Sequence, residues 1–169
     1  MENNSLPEYV YGIPTAKHRS RERIDLIKSY YSKLWNKLQK DGCKNMIFND
    51  YLGVNVCIIE NESDKKTINT ASKNWQSTYA VKNLYRIVKY ANCAENSVVF
   101  FKPKNGTQKH NKYKNIAVLY YDFINPDVSY LNFKAKLTIG IRSNNLHVQY
   151  CVNKIEVKEK KSTVQSNTN

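Results

Sequence analysis

Carboxylates are scarce in this chain. Its 169 residues include 14 Asp and Glu against 27 Lys and Arg, which gives a formal charge of +13. The acids are also scattered, which argues against the clustered carboxylates of a two-metal nuclease. A charge of this sign favours an anionic partner: nucleic acid, an anionic membrane surface or an acidic protein.

Several signatures of known chemistry are missing as well. The three His residues lie far apart, without HxxxH or a Cys/His ligand pattern, so we predict no metal site and no cofactor. Neither GxGxxG nor GxxxxGK[ST], which bind nucleotide phosphates, is present. No GxSxG elbow supports a serine hydrolase, although spacing alone leaves a Ser-His-Asp arrangement open.

Targeting and redox signals are also lacking. The start, MENNSLPEYVYGIPT, has no basic region followed by an apolar run, and no segment reaches the length of a transmembrane helix. We therefore expect a cytoplasmic protein with no membrane partner. The four Cys residues form no CxxC pair and have apolar neighbours, which predicts reduced, buried thiols. They are Cys43, Cys57, Cys93 and Cys151.

The length suits one domain. We expect an irregular N-terminal arm over residues 1–19, a single α+β domain over residues 20–157 and a disordered polar tail over residues 158–169. Apolar side chains recur at helical spacing in residues 20–40 and again from about residue 70 to 92, which predicts two main helices.

The strands complete the predicted fold. Residues 45–60 look like a short extended pair between the helices, broken near residues 49–53. Four strands follow the second helix, and short connections make them an antiparallel meander. The predicted fold is therefore a four-stranded antiparallel sheet with the two helices packed on it.

The last two strands read as a β-hairpin around Asn144-Asn145, a pair suited to a type I′ turn. With these two as the loop, Arg142 faces His147, Gly140 faces Gln149 and Thr138 faces Cys151. Alternation then predicts an apolar face and a polar face. The apolar face carries Leu137, Ile139, Ile141, Val148, Tyr150 and Val152, and the polar face carries Lys136, Thr138, Arg142, His147 and Gln149.

Residues 65–94 contain no Asp or Glu. Within them, Lys82, Arg86 and Lys89 recur at helical spacing, which leaves open a solvated face and an anion-binding face. The later segment PKNGTQKHNKYK is a basic, turn-rich loop. Its candidate nucleic-acid contacts are Lys109, His110 and Lys112.

RNA cleavage without a metal needs only an acid–base group and cations, because the 2′-OH of the RNA attacks its own phosphodiester. His147 is the candidate acid–base group, and Arg142 and Lys66 are candidates to stabilise phosphate charge. Ser72 and Lys73, near the predicted start of the second helix, are candidates to position the substrate. A surface or hydrogen-bonding role for His147, without catalysis, stays open.

The turn ESDKKT, the helix TASKNWQSTYAVKNLYRIVKYA and the hairpin KLTIGIRSNNLHVQYCV together resemble the barnase/EndoU/colicin/RelE-like nuclease superfamily, in particular its phage and mobile-element domains. The resemblance covers about residues 47–157. It implies RNA cleavage on an exposed sheet face without metal, and it adds Lys65 to the candidate nucleic-acid contacts. A paired His or Glu is missing from the predicted face, so the second proton-transfer group is not identified.

The first hypothesis is therefore a metal-independent endoribonuclease of a phage or mobile element, with RNA favoured over DNA. The second is a non-catalytic, basic nucleic-acid-binding protein, whose affinity should fall steeply with salt. The third is a phage protein that binds a host or cognate protein through its basic surface.

Overall fold

The structure, a computed structural model, describes residues 9–10, 12–15, 21–58, 63–93, 99–101, 113–123 and 131–159. It confirms an α+β fold. The elements are β1 (Tyr9–Val10), β2 (Ile13–Pro14), α1 (Arg21–Lys40), β3 (Met46–Asn49), β4 (Val54–Cys57), α2 (Ser63–Ala71), α3 (Trp75–Lys82), α4 (Leu84–Tyr90), β5 (Val99–Phe101), β6 (Tyr113–Phe123), β7 (Leu131–Arg142) and β8 (His147–Glu159). No helix in the described part of the chain is long and apolar enough to cross a membrane.

Six strands form one mixed sheet in the order β3-β4-β8-β7-β6-β5. Strands β5 to β8 form the predicted antiparallel meander. The prediction of a purely four-stranded sheet is wrong, because the extended pair β3-β4 joins the same sheet and β4 runs parallel to β8. Without β4, the outer edge of β8 would leave N–H and C=O groups unpaired at this end of the strand.

The first predicted helix is confirmed as α1, but the second predicted helix is wrong, because residues 70–92 contain the end of α2 and two further short helices, α3 and α4. Asn74 has an extended backbone, and its side chain accepts a hydrogen bond from the Ser77 N–H at 2.8 Å, which caps α3. Asn83 ends α3 and precedes α4. Asn side chains compete for backbone hydrogen bonds and favour helix ends over helix interiors, which explains both breaks.

The two ends of the chain differ from the predicted arm and tail. Within the arm, β1 and β2 pair as a small two-stranded sheet, and Gly12 between them has a φ of 74°. Ile13 is fully buried, and β2 contacts α1 and α3. At the other end, β8 extends to Glu159, while residues 160–169 of the predicted tail lie outside the described residues.

The hydrophobic core lies between the helices and one face of the sheet, here called the helix face. Apolar side chains alternate along β7 as a strand with one buried face requires. The opposite face of the sheet is called the outer face. Core residues of the helix face include Ala117, Leu119, Ala135, Leu137, Ile139 and Ile141.

A buried polar side chain connects this core to two helices. Gln149 on β8 is fully buried, and its Oε1 accepts a hydrogen bond from the Tyr31 hydroxyl of α1 at 3.2 Å. Its Nε2 donates to the Thr67 hydroxyl of α2 at 3.2 Å. Such a satisfied network fixes how α1 and α2 sit on the sheet.

Removing one hydroxyl tests this network. Tyr31→Phe should lower the free energy of unfolding by about 1 kcal/mol, because the buried Gln149 Oε1 loses a donor. Urea denaturation followed by circular dichroism measures the change. Tyr51→Phe is the control, since Tyr51 is exposed and should tolerate the same loss of a hydroxyl. Equal stabilities of Tyr31→Phe and the parent would contradict the network.

The hairpin between β7 and β8 turns through three residues, Ser143, Asn144 and Asn145, and the predicted two-residue turn is wrong. The Arg142 N–H donates to the Leu146 carbonyl at 2.9 Å, and the Arg142 carbonyl accepts from the Asn145 N–H at 2.9 Å. Asn145 has a φ of 65°, the left-handed conformation typical of the last residue in such a loop. The extra loop residue shifts the strand register by one.

This shift changes the partners of β8. His147 pairs with Ile141 and not with Arg142, while Gln149 pairs with Ile139. A slip of one residue moves side chains to the opposite face of a sheet. His147 and Gln149 therefore belong to the helix face, and their predicted placement on the polar face is wrong.

Farther along the hairpin, the pairing returns to the predicted register only beyond Ile139. Gly140 still pairs with Val148. Val148 therefore lies on the outer face, and its predicted placement with the buried Ile side chains is wrong. A bulge at Tyr150 then adds one residue to β8, after which Thr138 pairs with Cys151 as predicted. The register error is thus confined to the tip of the hairpin.

Candidate functional site

Arg142 and His147, the predicted phosphate clamp and acid–base group, do not lie together. Residues paired directly across two strands project from the same face, and His147 is paired with the core residue Ile141. Arg142 follows Ile141 in the strand and projects from the outer face. The structure therefore separates this pair, because the hairpin loop contains one residue more than predicted.

His147 is held locally at the end of the hairpin. It is half-buried, and its Nδ1 lies 2.9 Å from the carbonyl oxygen of Asn145. A carbonyl only accepts, so this contact favours the tautomer with the proton on Nδ1. The two residues paired with His147, Ile141 and Val56, are apolar core residues. Neither of them offers a charge to a phosphate.

The outer face beside the hairpin is filled by the chain's own side chains. Tyr113, Cys57 and Val148 form a buried cluster there, and Leu146 packs against it. Burial raises the pKa of the Cys57 thiol, and the positive charge of Arg142 only partly opposes this effect. Cys57 is therefore a neutral thiol at physiological pH and not an activated nucleophile.

Exposure differs among the described cysteines. Cys57 is buried as predicted, and Cys93 is half-buried. Cys43 is exposed, so its predicted burial is wrong. The reason is its position in the turn that follows α1, where Gly42 and Lys44 both have positive φ values.

The other predicted contacts near the second helix are dispersed. Ser72 is fully buried, and its hydroxyl has no hydrogen-bond partner among the described residues, so it is not placed to touch a substrate. Lys73 beside it is exposed. The backbones of Lys65 and Lys66 lie in α2, while their side chains are outside the described part of the structure. The loop contacts also lie outside the described residues: Lys109, His110 and Lys112.

A different set of cations converges in a groove between α1 and the helices α3 and α4. The groove holds about 280 Å³ and is here called the basic groove. Three Lys and two Tyr line it together with apolar side chains, and its lining contains no carboxylate. The lining residues are Tyr30, Lys33, Leu34, Lys37, Val81, Lys82, Leu84 and Tyr85.

The sequence explains why the groove is basic. Lys33 and Lys37 are four residues apart and therefore lie on the same side of α1. Residues 26–40 of α1 contain no Asp or Glu, and neither do residues 65–94, which include the opposite wall. Lys82 at the end of α3 faces the two lysines of α1 across the groove.

Only one of the three predicted helix-two cations lines this groove. That cation is Lys82. Arg86 is exposed but does not line the groove. Lys89 is paired elsewhere: its Nζ lies 3.3 Å from Asp50 Oδ1, and this hydrogen bond raises the pKa of Lys89. The helix break at Asn83 separates Lys82 from the other two, so the three do not form the stripe that one continuous helix would give.

The two tyrosines shape the electrostatics of the groove. Lys37 Nζ lies 3.8 Å from the centroid of the Tyr85 ring, a cation–π contact that orders the ammonium group. Burial raises the pKa of Tyr30, so its hydroxyl stays protonated at physiological pH. The lining residues thus include three lysines and a tyrosine phenol, which can donate hydrogen bonds to a phosphate.

A second cavity of about 380 Å³ lies beside the basic groove and shares Tyr85 with it. It is here called the apolar cavity after four of its eleven lining residues, Leu38, Met46, Ile47 and Phe48. The rest of the lining comes from the turn after α1, from β4 and from α4: Asp41, Gly42, Cys43, Lys44, Asn55, Tyr85 and Lys89.

Lys33, Lys37 and Phe48 are not among the residues predicted from the sequence. For the two lysines a signal was present, because residues 26–40 lack acids just as residues 65–94 do. For Phe48 no comparable signal existed. It stands beside apolar residues in a strand, and only the structure shows that 48% of it is exposed.

The described residues contain no group of three or more His, Cys, Asp or Glu side chains that could hold a metal ion. The resemblance to the barnase/EndoU/colicin/RelE-like nucleases stays a prediction, and the geometry of the basic groove carries the functional argument. No protein-family model, no curated protein and no solved structure matches this chain.

Proposed function

We propose that this protein binds nucleic acid through the basic groove and does not cleave it. The observation that carries the proposal is the convergence of Lys33, Lys37 and Lys82 in a groove whose lining contains no carboxylate. The excess of basic residues over the whole chain, with a formal charge of +13, extends the attraction beyond the groove.

The form of the groove favours a polymer of phosphates over a small anion. Lys33, Lys37 and Lys82 are all exposed, so each of them forms a hydrated and individually weak contact. A nucleic acid presents phosphates in series, and each phosphate that is neutralised releases counterions. Several weak contacts then add up to useful affinity, which a single small anion would not gain.

The groove lysines can be tested by charge removal. Lys33→Gln/Lys37→Gln should weaken binding of a short oligonucleotide about tenfold at moderate salt, because two phosphate contacts are lost. The slope of log affinity against log salt should become shallower by roughly 1.5, from about 0.7–0.9 per contact. Fluorescence anisotropy over a salt series measures both quantities.

Arg21→Gln/Lys28→Gln is the matched control. It also removes two cations from α1, but helical periodicity places Arg21 and Lys28 on the side away from the groove. We expect the affinity of this variant to stay within about twofold of the parent, because only the long-range charge changes. Equal losses in the two variants would contradict a site in the groove, and a flat salt dependence of the parent would contradict the proposal as a whole.

Ribonuclease activity, which the sequence favours, stays a prediction. The separation of Arg142 from His147 and the buried cluster on the outer face beside the hairpin are the observations that lead us to propose binding without cleavage. Incubation of the parent protein with RNA in EDTA distinguishes the two. Intact RNA supports binding alone, whereas cleavage that is lost in His147→Ala would overturn that part of the proposal.

A further inference from the structure

We infer that the apolar cavity holds one unpaired nucleobase, stacked on Phe48, of a single strand whose phosphates lie along the basic groove. This inference rests on the proposed function and narrows its ligand to single-stranded nucleic acid. The two cavities are adjacent, because Tyr85 lines both of them.

Phe48 has the position that a stacking residue needs. It lies on β3, an edge strand of the sheet, and 48% of it is exposed. Burial would normally remove an aromatic side chain of this size from water, so its exposure leaves an apolar ring available to a ligand. Stacking on an aromatic ring tolerates any base, since every base has a π face.

The floor and rim of the cavity suit a nucleobase joined to a phosphate. Leu38 and Ile47, both buried, provide an apolar floor. Lys44 at the rim is exposed and has a φ of 53°, so the tight turn after α1 places a cation here at some conformational cost. Asp41 also lines the cavity, together with two lysines, Lys44 and Lys89, of which Lys89 is paired with Asp50.

An apolar cavity of this kind selects against a duplex. The bases of a duplex are stacked inside the helix, and its exposed surface is dominated by phosphates and sugars. A duplex can therefore contact the lysines of the basic groove but cannot insert a base beside Phe48. A single strand can do both, so it should bind more tightly.

Three probes test the inference in fluorescence anisotropy: a single strand, its duplex, and the same single strand with abasic positions. Phe48→Ala should weaken binding of the intact single strand about tenfold, as expected for the loss of one stacked base. Binding of the duplex and of the abasic strand should not change, and the salt slope should match that of the parent.

Tyr51→Ala is the matched control, because Tyr51 is also an exposed aromatic residue close to Phe48 in the chain but lines neither cavity. We expect it to bind all three probes as the parent does. An unchanged affinity of Phe48→Ala for the single strand, or equal losses on the abasic strand, would overturn the inference while leaving the proposed function in place. If no probe shows salt-dependent binding, the proposed function fails and the inference fails with it.

Cys43 provides a second readout on the unmodified protein. It is exposed and lines the apolar cavity, whereas Cys93 is half-buried and lines neither cavity. The single strand should slow alkylation of Cys43 by N-ethylmaleimide, measured by mass spectrometry, and leave the rate at Cys93 unchanged. Equal protection by the duplex, or no protection of Cys43 by the single strand, would contradict a base in this cavity.

Discussion

Asn49→Ala should lower the free energy of unfolding by about 3 kcal/mol, because each buried polar group left unpaired costs roughly 1–3 kcal/mol. Asn49, the last residue of β3, is fully buried. Its Nδ2 donates to the carbonyls of Val88 at 2.6 Å and Ala91 at 3.1 Å, at the end of α4. Its Oδ1 accepts from the Leu52 N–H at 2.7 Å. Alanine removes all three hydrogen bonds.

Asn49→Asp should destabilise the protein more than Asn49→Ala at pH 8 and lower the free energy of unfolding by about 4–5 kcal/mol. The substitution replaces a hydrogen-bond donor with a buried negative charge that faces two carbonyl oxygens. Only the protonated carboxyl can donate, so its pKa in the folded state lies above the value of about 3.9 in the unfolded chain. A raised pKa of an acid means stability that is present at low pH and lost as the pH rises. The loss should therefore be smaller at pH 5 than at pH 8.

Urea denaturation at both pH values measures these losses. Asn55→Ala is the control, because Asn55 lies on the partner strand of the same hairpin but is exposed. It should change the stability by less than about 0.5 kcal/mol. A loss in Asn49→Ala no larger than that of the control would mean that the side chain does not cap α4.

Local patterns predicted much of this fold because local contacts decide it. The period of apolar residues places α1 correctly, and alternation finds the strands of the meander. The parallel pairing of β4 with β8 has no such local signal, since it joins residues such as Val56 and His147 that are distant in the chain. The breaks at Asn74 and Asn83 do have a local signal, the preference of Asn for helix ends, but the helical period of the apolar residues continues across both positions.

The candidate site was harder to predict than the fold. The predicted pairing of Arg142 with His147 depended on the length of one loop, and a single additional residue placed the two on opposite faces. Lys82 was predicted as a contact on the grounds of local charge alone. Its position in the same groove as Lys33 and Lys37 depends on how α1 packs against α3. The periodicity within a single helix does not specify this packing.

Gly140→Ala should lower the free energy of unfolding by about 2–3 kcal/mol, the usual range for overpacking a filled site. A Cβ at this position would lie 2.6 Å from Cδ1 and Cε1 of Tyr113 and 2.8 Å from its Cγ. The ring cannot swing clear, because its Cγ is close to the backbone. Gly140 is not in the left-handed region, so alanine introduces no backbone strain. The steric overlap with the Tyr113 ring is therefore the cause of the expected destabilisation.

The effect of Gly140→Ala on the free energy of unfolding should change sign when Tyr113 is replaced by alanine. Tyr113→Ala removes the ring that a Cβ at position 140 would overlap. In this background Gly140→Ala should stabilise the protein by about 0.5 kcal/mol, because alanine restricts the unfolded chain more than glycine does. Urea denaturation of the parent, the two single variants and the double variant gives this cycle. Equal effects of Gly140→Ala in both backgrounds would mean that the ring does not cover Gly140. The outer face beside Arg142 would then be open to a substrate, and the nuclease hypothesis would regain the surface that it requires.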